Sequence, residues 1–236
     1  IARKGPTFHD FNAKQKNTAL ALLRACLSDE GYRKTREIME LEKVLIVIEN
    51  NRKMPDGSPM RDPLNYHFCI FGDPAPNQFW GWRFEGHHIS LSFSSADNRI
   101  VSSTPSFFGT NPAVVDVEGF DKQQVLKLET ELGFELVNSL DREQLEKARF
   151  SDTAPPEIIT RNNPVVENLE PRGINFKALK RSQRAMLLKL LGVYIGNYEK
   201  GFASSFMTKI EQAGLDNLSF AWAGSLEPGK GHYYRI

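Results

Sequence analysis

Early in the chain the apolar pattern changes period, and that change restricts the fold more than any other feature. Phe11, Gln15, Thr18, Ala19, Leu22, Leu23 and Cys26 recur at helical spacing, and Ile38, Leu41, Leu45 and Ile48 form a second stripe. The loop "NRKMPDGSPMRDP" follows, and beyond it apolar residues alternate with period 2. "LNYHFCIFG", "FWGWRFEGHHISLSF" and "RIVSSTPSFFG" read as three strands. Only "DPAPNQ" and "SADN" separate them, so they are close enough to pair as a meander.

Helices are expected again further on. Asp121 with Gln124 resembles a capping box, opening a helix with Val125, Leu128, Leu132 and Leu136 on one face. A short helix is expected from Asp141 to Arg149. "SDTAPPEIITRNNPVVENLEPRG" has no period and reads as a long surface loop of the kind that borders a site. Phe176, Leu179, Gln183, Leu187, Leu190 and Tyr194 stripe a long helix, continued past a break at Gly201 into "FASSFMTKIEQAG". "LSFAWAG" and "HYYRI" then flank "SLEPGKG" as a hairpin. "FNAKQKNTA", "LDREQLEKA" and "LKRSQRAML" each place Gln four residues after a large apolar side chain, so three helices are expected to start alike. The expected class is α+β: a central antiparallel sheet, made of the meander and the C-terminal hairpin, packed with amphipathic helices. A single domain over residues 1–236 is the economical organisation.

Composition excludes some partners. Lys plus Arg number 30 against 29 Asp plus Glu, so no overall field recruits nucleic acid. Lys177, Lys180, Arg181 and Arg184 share one helix side, which reads as a solvated face. No apolar run approaches the roughly 20 residues of a membrane span. Cys26 and Cys69 read as two separate buried thiols. The chain starts at Ile1 and stops inside a strand-like run, so natural ends are expected beyond both.

Chemistry concentrates in "FWGWRFEGHHISLSF". In one regular strand Arg83, Glu85 and His87 share a face with Ile89, Leu91 and Phe93, while Trp80, Trp82, Phe84 and His88 share the other. Glu85 and His87 then suit two ligands of one metal, or a carboxylate orienting an imidazole; His87 and His88 point apart unless the strand bulges at Gly86. A zinc or iron site needs further ligands, and His67 and His232 are the candidates. Against this stands a purely structural alternative: Arg83 paired with Glu85, and the histidines hydrogen-bonded internally. Trp80 and Trp82 suggest a platform for a sugar or planar ligand, or simply packing. No nucleophile elbow, phosphate loop or dinucleotide fingerprint is present.

"DPLNYHFCIFGDP", "FWGWRFEGHHISLSF", "VSSTPSFFGTNPA" and "FAWAGSLEPGKGHYYRI", in this order, resemble a family of bacterial and fungal proteins catalogued as domain of unknown function 3500. The resemblance covers most of the chain and supplies no reaction. It implies that relatives continue past "HYYRI" into a segment with an H-x-H pair, and that many carry an export signal, hence a location outside the cytoplasm. That H-x-H pair would complement His87, His88 and His232.

Two functions are therefore expected to compete. One is a metal-dependent enzyme, hydrolase before oxidase. There His87, His88 and His232 bind zinc, copper or iron, Glu85 acts as ligand or base, and Arg83 neutralises an anionic substrate. The other is a glycan- or peptide-binding module using Trp80 and Trp82. They are distinguished by what converges at a solvent-reachable point: Glu85, a histidine and Arg83 for the enzyme, both tryptophans for the binder. A third reading makes all these polar groups internal pairs and puts the site beneath the loop 151–173.

Overall fold

The computed structural model describes residues 3–161, 163, 165 and 172–236. The class is α+β, as expected, and the chain divides into two compact units. The first comprises Ile1–Leu126 with Asn197–Phe202, and the second Lys127–Gly196 with Ala203–Ile236. The meander and the hairpin belong to separate sheets, one in each unit.

In the first unit, α1 (Ala13–Cys26) and α2 (Asp29–Ile48) precede a five-stranded sheet. Its strands β1 (His67–Phe71), β2 (Trp80–Gly86), β3 (Ile89–Ala96) and β4 (Arg99–Ser102) follow in meander order, and β5 (Ser106–Phe108) pairs with β3 beside β4. Registers Phe68↔Phe84↔Leu91 and Trp82↔Phe93 put the large apolar side chains on one face. That face is the core, shared with Phe8, Leu23, Cys26, Ile38 and Leu41. Aromatic rings dominate it: Phe68 and Phe84 centroids lie 4.7 Å apart, and Trp82 stacks on Phe93 at 4.6 Å. The opposite row, Cys69↔Arg83↔Ser92 and His67↔Glu85↔Ser90, is polar.

The segment Asn197–Phe202 completes this unit from far along the chain. Asn197 O accepts from Ser28 N at 3.0 Å, and Glu199 N donates to Cys26 O at 3.0 Å. Buried Lys34 donates to Asn197 Oδ1 at 2.9 Å, and Tyr198 packs edge-on against Phe93.

The second unit contains α3 (Lys127–Asn138), α4 (Arg142–Ala148), β6 (Arg149–Ser151), β7 (Ile174–Asn175), α5 (Arg181–Ile195), most of α6 (Lys200–Ala213), β8 (Ser219–Gly224) and β9 (His232–Arg235). β8 is central: parallel to β6, antiparallel to β7 and to β9. Its Phe220 and Trp222 pack with Leu136, Leu187 and Leu190.

The three expected helix starts are alike because each glutamine is the third helical residue. Gln15, Gln144 and Gln183 accept from the backbone N–H of Asn12, Asp141 and Lys180 at 2.9, 3.2 and 2.8 Å. Gln144 and Gln183 go further. Both are buried, and their amides exchange two hydrogen bonds of 2.9 Å, with the spare N–H of each donated to Ala178 O and Ser139 O.

Two helical expectations need correction. No helix starts at Asp121: α3 begins at Lys127, Val115 N binds Gln123 O at 2.8 Å, Val125 packs in the first unit's core, and Leu128 is exposed. The expected stripe ran across the boundary between units. The break in the later helical run falls at Gly196–Glu199, with Gly201 inside α6. Glu199 fixes it by accepting from Gly201 N at 2.7 Å and Phe202 N at 2.9 Å, two of the orphan donors of that helix start. Phe176–Ala178 is a separate 3₁₀ turn before α5; Phe176, Leu179, Gln183, Leu187 and Leu190 are buried as the stripe required, while Tyr194 at its end is exposed.

Candidate functional site

"FWGWRFEGHHISLSF" is a hairpin of two strands. β2 ends at Gly86, His87 and His88 make the turn, and Gly86 pairs with Ile89. This corrects the single-strand reading and its faces. Ile89, Leu91 and Phe93 lie with Trp82 and Phe84 in the core, not beside Arg83 and Glu85. His87 and His88 are neighbours in the turn, their ring centroids 4.0 Å apart.

The turn is held from several sides. His88 has φ +60, a left-handed conformation costing a non-glycine residue about 1 kcal/mol or more. Tyr66 Oη donates to His87 O at 2.9 Å, and Gly109 N donates to His88 O at 2.8 Å. A Cβ on Gly109 would come within 2.7 Å of His88 Nδ1, so the approach needs glycine. The His87 ring is engaged at both nitrogens: Nδ1 hydrogen-bonds to buried Glu42 Oε1, and Arg61 Nη1 lies 3.1 Å from Nε2. Glu42 Oε2 also accepts from Asp62 N at 3.1 Å, and Arg61 forms a two-pronged pair with Glu49 at 2.7 and 2.8 Å. These contacts of His87 clasp the turn to α2 and to the loop that precedes β1.

Its neighbour is free. No hydrogen-bond partner of the His88 ring exists among the described residues, and the ring borders a cleft of about 720 Å³ on the polar face of the sheet. Arg83, Glu85, Ser90, Phe71 and Phe107 line the same cleft. Arg83 Nη2 pairs with Glu85 Oε1 at 3.1 Å, and its guanidinium carbon sits 5.7 Å from the Phe71 ring centre. Arg83 Nε is buried without a partner. Burial, then the neighbouring His87, pushes the His88 imidazole down to about 4, so it is neutral at neutral pH.

That shift predicts a pH response. The unfolded chain takes up a proton on His88 below about 6.5 and the folded protein only below about 4. His88 therefore lowers stability progressively as pH falls through that window and adds nothing above it. Melting temperature against pH should show a shallower acid slope in His88→Asn protein, asparagine being tolerant of the left-handed conformation. His87, Glu42 and Arg61 stay in both proteins, so equal slopes would contradict the assignment.

The other nominated residues fall elsewhere. Trp82 is 1 % exposed and offers no face to a ligand, while Trp80 packs partly buried against the core. His232 lies in the second unit, stacked on Trp222 with centroids 5.4 Å apart, Nδ1 bonded to Lys230 O. His67 Nδ1 bonds Gly5 O at 3.0 Å. Among the described residues no three His, Cys, Asp or Glu side chains form a group able to hold a metal ion. Residues 162, 164 and 166–171 of the proline-rich loop, beneath which the third reading put the site, lie outside the described residues. Arg184 and Lys180 of the basic helix face are tied to Phe176, Leu179 and Lys177 carbonyls and to Asp141. Both cysteines are free; Cys26 is buried, its thiol pushed up to about 11 by desolvation, and Cys69 is half-buried. No helix is long and apolar enough to cross a membrane among the described residues.

The sequence reading missed Glu42, Arg61, Phe107 and Gly109. Glu42 had a signal: it occupies the apolar stripe of α2, four residues after Ile38 and three before Leu45, where a charge needs a partner.

Fold and site together define an α+β protein whose first sheet bears a cleft with one cation, one carboxylate and one unpaired imidazole from neighbouring β2 and its turn. The chain belongs to the family described as protein of unknown function (DUF3500), whose model matches residues 1–236. No curated protein and no solved structure matches it.

Proposed function

We propose that the cleft is an acid–base site acting on a small anionic molecule, with hydrolysis as the reaction class. The observation that supports this reading is the convergence of Arg83, Glu85 and His88 on one solvent-open cleft, while Trp82 is withdrawn into the core. Arg83 holds the anionic group. Glu85, kept beside that guanidinium, takes the proton of a water attacking a carbonyl carbon and returns it to the leaving group. The neutral His88 ring donates its N–H to the carbonyl oxygen as charge develops there.

Calorimetric titration with aromatic carboxylates at low salt, followed by a panel of carboxylate-bearing esters, tests the reading. Arg83→Met should weaken carboxylate binding by about tenfold or more. Glu85→Gln should leave binding intact or tighter while lowering kcat by about 100-fold. Carboxylate binding unchanged in Arg83→Met protein would remove the site from this cleft, and an unchanged kcat in Glu85→Gln protein would remove the base.

A further inference from the structure

The segment from Arg3 to Thr7 runs along β1 and forms part of the cleft. Phe68 N donates to Pro6 O at 2.9 Å, and Thr7 bridges to His67. Cys69 Sγ donates to Lys4 O at 2.9 Å, and His67 Nδ1 meets Gly5 O at 3.0 Å. Gly5 has φ +95, and a Cβ there would fall 1.9 Å from Phe68 O, so only glycine permits so close an approach. These attachments bring Arg3 and Lys4 to the cleft that holds Arg83, Glu85 and His88. Neither Arg3 nor Lys4 forms an ion pair among the described residues.

The lining thus carries three cations against one carboxylate, since His88 is neutral. An excess of two positive charges within one cleft is satisfied by a ligand bearing two negative ones. Phe71 and Phe107 supply apolar wall beside those charges, and about 720 Å³ is room for a small organic molecule. Building on the acid–base reading of this cleft, we infer that it selects organic dianions: a dicarboxylate or phosphate monoester with an aromatic or aliphatic body. One charge rests on Arg83, the other on the Arg3–Lys4 strap, and the body lies against Phe71 and Phe107.

Benzoate, phthalate and phenyl phosphate, titrated into the full chain at 10 mM and 150 mM salt, test the selection. Phthalate, phenyl phosphate or both should bind at least about fivefold more tightly than benzoate at low salt, with the advantage shrinking at high salt. Whichever dianion binds more tightly distinguishes carboxylate from phosphate chemistry. In the Arg3→Gln/Lys4→Gln double variant, whose altered residues are exposed, the advantage should fall to within about twofold. Gly5→Ala, which keeps both charges but displaces the strap, should do the same. Benzoate binding as tightly as both dianions, or a preference that survives the double variant, overturns the inference; if binding still depends on Arg83, the acid–base reading stands without it. No binding by any of the three overturns both.

Discussion

Glu42→Ala is expected to cost about 3 kcal/mol of stability and, with it, the order of the cleft. The figure is what leaving two donors without an acceptor costs, at about 1–3 kcal/mol each, discounted because His87 keeps partial contact with solvent. Glu42 is 3 % exposed, and its two oxygens serve the His87 ring and the Asp62 amide. Removing it orphans both and leaves Arg61 facing an imidazole with no carboxylate behind it. The turn then loses the carboxylate that fixes its first ring and keeps only Tyr66 on the His87 carbonyl and Arg61 at Nε2, while its second residue, His88, still bears the left-handed backbone. Ligand affinity should drop along with the denaturation midpoint, although Glu42 does not line the cleft. His87→Asn should reproduce part of both effects. A Glu42→Ala protein with native stability and unaltered carboxylate binding would show that the clasp does not position the site.

In the second unit Gln183→Leu should lower stability by about 3 kcal/mol despite keeping the side chain's volume and apolar contacts. Its amide serves four partners: Lys180 N, Ser139 O, and both polar atoms of Gln144. Each buried group left unpaired costs about 1–3 kcal/mol, offset where the chain relaxes to admit water. Changing both glutamines to leucine should not restore stability, because Asp141 N, Lys180 N, Ser139 O and Ala178 O would still lack partners. The double variant should be less stable than either single one, yet by less than their sum, since the two share the amide pair. Urea unfolding followed by circular dichroism reads this as a midpoint lowered by about 1 M or more. A double variant as stable as the parent would mean that the pair is dispensable.

These contrasts explain what the sequence made legible. The three matching helix starts were visible because a capping box is a local device, written in residues three apart. The strands showed in their alternation but not in their number: "RIVSSTPSFFG", expected as one strand, holds β4 and β5, just as "FWGWRFEGHHISLSF" holds β2 and β3. The turn at His87–His88 did not, because neither Asn nor Asp marks it and its left-handed residue is a histidine held there by Gly109 and Tyr66. A subtler mark was present. The apolar positions are even-numbered through Trp82 and Phe84, then odd-numbered through Ile89, Leu91 and Phe93, and one uninterrupted strand cannot bury both sets on one face. Arg83, Glu85 and His88 could be nominated from their chemistry. Arg3, Lys4 and Phe107 could not, since they reach the cleft only through the β1 strap and the β3–β5 pairing.

Asn197–Phe202 has a consequence for how the protein is made. The ribosome delivers the helices and meander of the first unit early, and N-terminal units generally fold as they emerge. Here Lys34, with Glu30 among its partners at 3.8 Å, would lack the Asn197 oxygen that accepts its hydrogen bond, and Phe93 would await the Tyr198 ring, until some seventy residues of intervening chain had been synthesised. The sheet can pair beforehand, but it cannot close. Nascent chain is therefore expected to pass through a stage in which the paired sheet still lacks the Tyr198 ring against Phe93 on its aromatic face, a stage in which a chaperone has something to protect.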